Sequence, residues 1–266
     1  MNINFTDQFA DLNDNFSNPK PHEGNYCYRY PHPAVTTDCV IFGLMDDALQ
    51  VLLIERGVEP FKGQWALPGG FMKINETLEE AAARELREET NLDGIYMQQF
   101  KAYSTVDRDP RERVVTVAFI AIVKPAYHNL VAGDDAANAS WFNFDNLPPL
   151  AFDHRVILEE ARQYLRRQIR VEPLAFRLLN EIFSLGELQK VYEIITGTLF
   201  DRRNFQRSVM DAEILIVNNG PLEKGERIQT FTRSKEGTTL YSAKLDNLKK
   251  RPKKGSIKGL FDLFNI

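Results

Sequence analysis

The sequence predicts an α/β sandwich followed by a C-terminal winged helix-turn-helix. Three observations predict it. Apolar, β-branched runs flank one strongly helical segment before residue 152. After Phe152 the pattern changes to helices, and two of these are separated by a short turn containing Gly197 and lead into a basic hairpin. At 266 residues the chain is long enough for two modest domains, each with its own core. The expected boundaries are an extension over 1–30, the α/β domain over 31–152, a linker helix over 153–172, the winged helix over 173–245 and a basic tail over 246–266.

The elements follow in order. Residues 1–30 are rich in Asn, Asp and Pro and lack periodicity. Val35 to Leu44 and Val51 to Ile54 lie on either side of Met45-Asp46-Asp47 and predict a hairpin. Leu78 to Thr90 is dominated by Ala, Leu, Glu and Arg, and Thr77 with Glu80 fits a capping box at its start. Tyr96 to Val106 and Val114 to Val123 read as strands around the charged loop 107–113, and Trp141-Phe142 opens a last strand before Pro148-Pro149. Asp153 to Ile169 is a long charged helix, with Val156, Leu158, Ala161 and Leu165 available for packing. Leu174 to Ile182 is a second helix. A further capping box, Ser184 with Glu187, opens Leu188 to Ile195, Gly197 ends it, and Asp201 caps Arg202 to Glu213. Gln229 to Thr232 and Thr238 to Ala243 are expected as the strands of the wing.

Bulk properties narrow the function classes. No apolar run approaches the length of a membrane span. The polar start lacks the basic and apolar stretches of a signal peptide, so the expected location is the cytoplasm. Two cysteines, Cys27 and Cys39, make neither a disulfide framework nor a zinc site. Residues 1–154 hold 12 Lys and Arg against 23 Asp and Glu, whereas the remainder holds 21 against 14. An acidic half suits a metal and a basic half suits a polyanion such as nucleic acid.

The chemistry concentrates in residues 70–92. Glu85, Glu88 and Glu89 fall at helical spacings i, i+3 and i+4, so one helix face carries three carboxylates whose mutual repulsion a shared divalent cation relieves. An isolated Glu-Leu-Arg-Glu-Glu would be an ordinary surface helix. Here Gly69-Gly70, Glu76, Arg84 and all three glutamates are in register, and Gly70-Phe-Met-Lys-Ile-Asn-Glu76 followed by Arg84-Glu85-Leu86-Arg87-Glu88-Glu89-Thr90-Asn91-Leu92 resembles the Nudix signature at nearly every defining position. The resemblance implies a Nudix α/β/α sandwich. It also implies a metal site of Gly70, Glu85, Glu88 and Glu89 for Mg²⁺ or Mn²⁺, with Glu85, Glu88, Glu89 and Arg84 as catalytic residues and Arg84 orienting a glutamate. One position departs from the signature: Asn91 stands where the family has glycine, and Asn is the non-glycine residue most tolerant of positive φ.

Flanking residues point to a branch of that family. Tyr30 to Val35, Leu53 to Arg56 and Phe61 to Pro68 resemble Nudix proteins of the ADP-ribose group, and loop 107–113 additionally resembles the sugar-responsive Nudix-related transcriptional regulators. Arg56, Trp65, Arg108, Arg111 and Arg113 are the candidate ligand-binding residues, the loop arginines as phosphate grips. Residues 188–193 and 201–207 resemble the winged helix of those regulators. On the helix after Asp201, Phe205 and Val209 turn inward while Arg203, Asn204 and Arg207 face outward as a groove-reading surface; Lys190 and Arg202 are placed for phosphates, and Lys235 lies in the wing.

The expected function is therefore a DNA-binding transcriptional regulator, a homodimer on double-stranded operator DNA that senses a nucleotide sugar or sugar, ADP-ribose-like or arabinose-like, through its Nudix domain. The alternative is an active Mg²⁺-dependent hydrolase of ADP-ribose or a related nucleoside diphosphate sugar, with bifunctionality open because every acidic position is retained.

Overall fold

The computed structural model describes residues 31–125, 130, 136–170, 172, 174–212, 214–218 and 239–243. Its described strands and helices all lie in the unit Ala34–Ile266; residues 31–33, in the unit Met1–Pro33, are irregular chain. The 1–30 extension, the Gln229–Thr232 strand, Lys235 and the basic tail lie outside the described residues.

Strands β1 (Ala34–Met45) and β2 (Ala48–Arg56) form the expected hairpin. Asp46 and Asp47 both hold positive φ, 52° and 62°, the two left-handed residues that match a tight turn to the twist of its strands. β3 (Trp65–Ala66) and β4 (Gly69–Phe71) follow, then helix α1 (Leu78–Thr90), β5 (Gln98–Tyr103), β6 (Val114–Val123) and β7 (Ala136–Asn143). The sheet runs β3-β2-β1-β6-β5, with β4 on β1 and β7 on β2, and a parallel pairing joins β1 to β6 from Ala34↔Val114 to Gly43↔Val123.

Both faces of the sheet are covered, and the two-residue period of the strands shows it. Cys39 and Ile41 of β1, Leu52 of β2 and Phe119, Ala121 and Val123 of β6 pack with Ala82 and Leu86 of α1. Their neighbours Val40, Phe42, Val51, Leu53, Ala118 and Ile120 face the other way, against Ile157, Leu158, Ala161 and Leu165 of α2 (His154–Gln168). The segment expected as a linker thus forms the second outer layer of the α/β/α sandwich.

The same core continues without interruption into the C-terminal elements. α3 (Ala175–Leu178), β8 (Phe183–Ser184), α4 (Leu185–Thr196), α5 (Arg202–Asp211), β9 (Leu215–Asn218) and β10 (Leu240–Ala243) follow, and the segment contributes Leu178, Phe183, Leu188, Tyr192, Phe205, Val209 and Tyr241, with Ile214 just before β9. The helix expected over Leu174–Ile182 is only one turn long, because Leu179 turns extended (φ −88°, ψ 156°) to lead the chain into β8. β8 and β9 flank β10 in a three-stranded antiparallel sheet. The β9 strand is additional to those expected from sequence: its four residues lie directly after α5 and carry no period long enough to register.

Candidate functional site

β1 and β2 pair only near their shared turn, between Phe42 and Val51. Beyond it they diverge, and residues 65–71 wedge into the split: β3 pairs with Ile54 and Glu55 of β2, while β4 pairs with Thr36, Thr37 and Asp38 of β1. Cys39 N–H donates to the Pro68 carbonyl at 2.7 Å and fixes the middle of the wedge. Gly69 holds a φ of 154°, and a Cβ there would stand 2.0 Å from the Thr37 carbonyl oxygen, so only glycine fits. At Gly70 a Cβ would meet the Glu85 carboxylate at 2.6 to 2.8 Å. The glycine pair therefore lets α1 lay its acidic face directly on the backbone of the wedge.

α1 is fixed at both ends by residues legible in the sequence. Thr77 Oγ1 accepts from Glu80 N–H and the Glu80 carboxylate accepts from Thr77 N–H, closing the capping box. Asn91 ends the helix at φ 61° and ψ 17°, in the left-handed region, and its N–H donates to the Arg87 carbonyl.

Arg84 organises the carboxylates. Nε and Nη2 donate to Glu76 at 2.9 and 2.6 Å, Nη1 to Glu85 at 2.7 Å and Glu88 at 3.1 Å, and Nη2 also to the Phe71 carbonyl at 3.1 Å. All five N–H groups are engaged, which a lysine could not reproduce. The fork on Glu76 holds that carboxyl down at about 2. Glu89 stands apart: its Oε2 accepts from Gly69 N–H at 2.8 Å, and burial raises its pKa to about 8. Burial also raises Glu85, against the pull of Arg84.

Among the described residues no three acidic, histidine or cysteine side chains close into a metal cage. Yet Glu85, Glu88 and Glu89 each accept their hydrogen bonds through a single oxygen, leaving one hard oxygen per side chain. That donor set suits Mg²⁺ or Mn²⁺, which take few protein carboxylates and complete the shell with water and phosphate.

The expected ligand-binding arginines part company. Arg111 pairs with Asp109 through Nε and Nη2 and lies over Phe71 and Phe152, 5.0 and 5.8 Å from the ring centroids. Arg56, at the end of β2, lies 4.8 Å from the Phe152 ring centroid, its pKa lowered by burial and by Arg111. Two cations and Phe152, itself at φ 52° and edge-on to Phe61 at 4.8 Å, thus form one half-exposed platform beside the box. Arg108 does not join it. Its side chain is 4% exposed, and the guanidinium is committed to Asp153 at 2.7 and 3.0 Å and to Asp38 at 3.2 Å, as a charge buried inside the fold must be. Arg113 donates to the carbonyls of Ser104, Thr105 and Val114 and so pins the loop. Trp65 packs edge-on to Phe142 at 4.5 Å as part of the strand layer.

On the winged helix, α5 buries Phe205 and Val209 and exposes Arg202, Arg203, Asn204 and Arg207. Asp201 caps it through Asn204 N–H, and Gln189 of α4 donates to the Phe200 carbonyl at 2.9 Å to fix the intervening turn. Lys190, expected at a phosphate, instead pairs with Asp47 in the β1–β2 turn, because α4 packs against β2. Sequence reasoning missed Asp38, Asp153, His154 and Phe152. Asp38 left a signal, a carboxylate inside the apolar run Val35–Leu44 that has to find a partner when buried.

The NUDIX domain model matches residues 8–161, and the NrtR DNA-binding winged helix domain model matches residues 175–227. The chain belongs to the Nudix family. Within it, the chain is 33% identical over 210 residues to the ADPR responsive transcriptional repressor NtrR of Acinetobacter baylyi, covering 77% of this chain and 83% of that one. It is 46% identical over 138 residues to the ADP-ribose pyrophosphatase of Methanocaldococcus jannaschii, covering 52% and 78%. The structure of Shewanella oneidensis NrtR complexed with a 27mer DNA superposes with a TM-score of 0.64 at 31% identity, covering 82% of this chain and 96% of that one. This Nudix protein therefore carries the NrtR type of winged helix behind its box. No helix among its described residues is long and apolar enough to cross a membrane.

Proposed function

We propose that this Nudix protein is a transcriptional repressor that binds operator DNA through its winged helix and responds to ADP-ribose held at the Nudix box. The observation that carries this reading is the exposed row Arg202, Arg203, Asn204 and Arg207 on α5, held on the same core as a complete box. Arg203, Asn204 and Arg207 face the bases of a major groove and Arg202 a phosphate. At the box, Arg56 and Arg111 meet the diphosphate, and Phe152 offers an apolar face beside it. A homodimer would present two such helices to a palindromic operator. The relatives named for repression and for ADP-ribose support the same reading. The test is a gel shift with DNA from upstream of its own gene at low salt, with and without ADP-ribose. Absence of any shift at low salt overturns DNA binding, because electrostatic association alone gives one there.

A second reading, hydrolysis of ADP-ribose at the same site, is favoured by the retention of Gly70, Glu76, Arg84, Glu85, Glu88 and Glu89 in working register. Gly70, Glu85, Glu88 and Glu89 would hold Mg²⁺ or Mn²⁺, which when bound neutralises diphosphate charge and activates water. Arg84 fixes Glu85 and Glu88, and the Gly69 amide fixes Glu89. AMP release from ADP-ribose with Mg²⁺, abolished in Glu88→Gln and Glu89→Gln, tests it; no release by the parent protein excludes it for that substrate.

A further inference from the structure

The wedge that carries the box is held from both layers of the sandwich. Gly69 N–H donates to Glu89 of α1 at 2.8 Å, and Leu67 N–H, two residues earlier, donates to His154 Nδ1 of α2 at 2.9 Å. His154 is buried and its pKa is lowered by that burial, so the ring is neutral; with Nδ1 accepting, the proton sits on Nε2, which faces Asp38 Oδ1 at 3.5 Å. Asp38 in turn pairs with Arg108, and Arg108 grips Asp153, the residue that begins α2. The first turn of α2 is thereby tied to the segment on which the box is built.

The far end of α2 is tied to the DNA-binding unit. Arg166, about 18 Å along the helix by its rise per residue, donates from Nε to the Ile195 carbonyl in the last turn of α4 at 3.1 Å. Its Nη2 lies against the cap of that helix, 3.0 Å from where a Cβ on Gly197 would stand. From α4 the turn bonded by Gln189 leads to α5. Between its ends α2 is braced by Tyr103, whose hydroxyl donates to Glu160 at 2.9 Å, and by the apolar row Ile157, Leu158, Ala161 and Leu165.

We infer that His154 is a positioning residue of the box and that α2 is the lever which carries its state to the winged helix: a ligand that shifts Glu89 and Gly69 shifts Leu67, and with it the seat of His154, while Arg166 hands the displacement to α4. This rests on the regulatory reading above. The lever works because its two ends are held by directional hydrogen bonds and its middle by close packing, so α2 moves as a unit.

The test uses the full chain, DNA from upstream of its own gene, and α,β-methylene ADP-ribose, which the box cannot cleave at the diphosphate. The ratio of DNA Kd with and without the analogue is the coupling factor, on the order of 5–150-fold in linked systems. His154→Leu deletes the acceptor for Leu67 N–H and abolishes the difference, bringing the factor to 1; His154→Asn, whose Oδ1 takes the place of Nδ1, keeps the parent's factor. Arg166→Met keeps the apolar stem, loses the Ile195 bond and also brings the factor toward 1, with binding of the analogue alone unchanged. Arg155→Ala, on the exposed face of the same helix, leaves the factor unchanged. A purely structural role lowers the melting temperature of the variants with the factor intact, and that result overturns the inference. Should His154→Leu not fold, Arg166→Met decides it from the other end. A parent protein that binds both partners with a factor of 1 overturns the lever alone, whereas failure to bind DNA or the analogue overturns the regulatory reading beneath it.

Discussion

The Glu85 carboxylate rests against the bare Cα of Gly70, so close that a Cβ on the glycine would stand 2.6 Å from Glu85 Oε1. Replacement Gly70→Ala must push the Glu85 carboxylate away from the wedge. The carboxylate sits at the end of a flexible side chain, so the fold gives way easily, by ~0.5 kcal/mol. Titration of the α,β-methylene analogue in the presence of Mg²⁺ is expected to show at least about tenfold weaker binding, the scale of one lost charged contact.

Arg84 satisfies three carboxylates and one carbonyl with its five N–H groups. Arg84→Met leaves Glu76, Glu85 and Glu88 facing one another without a cation, an expected loss of about 2 kcal/mol by urea unfolding. Adding Mg²⁺ should restore more stability to the variant than to the parent, since a cation then replaces a cation. Arg84→Lys should fall between the two.

Asn91 ends α1 in the left-handed region at φ 61°. Glycine adopts that conformation without the Cβ strain, so Asn91→Gly should stabilise the protein by up to ~1 kcal/mol in thermal or urea unfolding. Asn91→Ala should destabilise it by a similar amount.

His154 gives the stability a pH dependence of known sign. Burial lowers its pKa below the ordinary 6.5 in the folded protein. Above about 6.5 neither state binds the proton and the stabilisation is whole; as pH falls below that value the unfolded chain takes up a proton that the folded chain refuses, and stability is lost. Urea midpoints measured at pH 7.5 and 5.5 should therefore differ by more in the parent than in His154→Asn.

Lys190 is paired with Asp47, where DNA phosphates would compete for it. Asp47→Asn frees the ammonium. The slope of log K against log salt for DNA binding should steepen by about 1, the contribution of one additional phosphate contact.

Local chemistry was legible and remote partnership was not. Both capping boxes, the left-handed ends at Asn91 and Gly197 and the Asp46-Asp47 turn depend on residues within a few positions of one another, and the sequence displays them directly. The register of Glu85, Glu88 and Glu89 is likewise a property of a single helix. Arg108 looked like a phosphate grip because its partners stand 70 and 45 residues away, at Asp38 and Asp153, and only the folded sheet brings them together. The pairing of Lys190 with Asp47 was hidden for the same reason. β3 and β4 are two and three residues long, too short to show a period, although they build the floor of the box.

One apolar interior extends from Val40 in the central sheet to Tyr241 in β10. Because the two halves share this interior, heating should melt them in a single cooperative transition, with equal calorimetric and van't Hoff enthalpies. A protein severed before α2 would expose the sheet face that this helix covers, and should aggregate where the intact chain stays in solution.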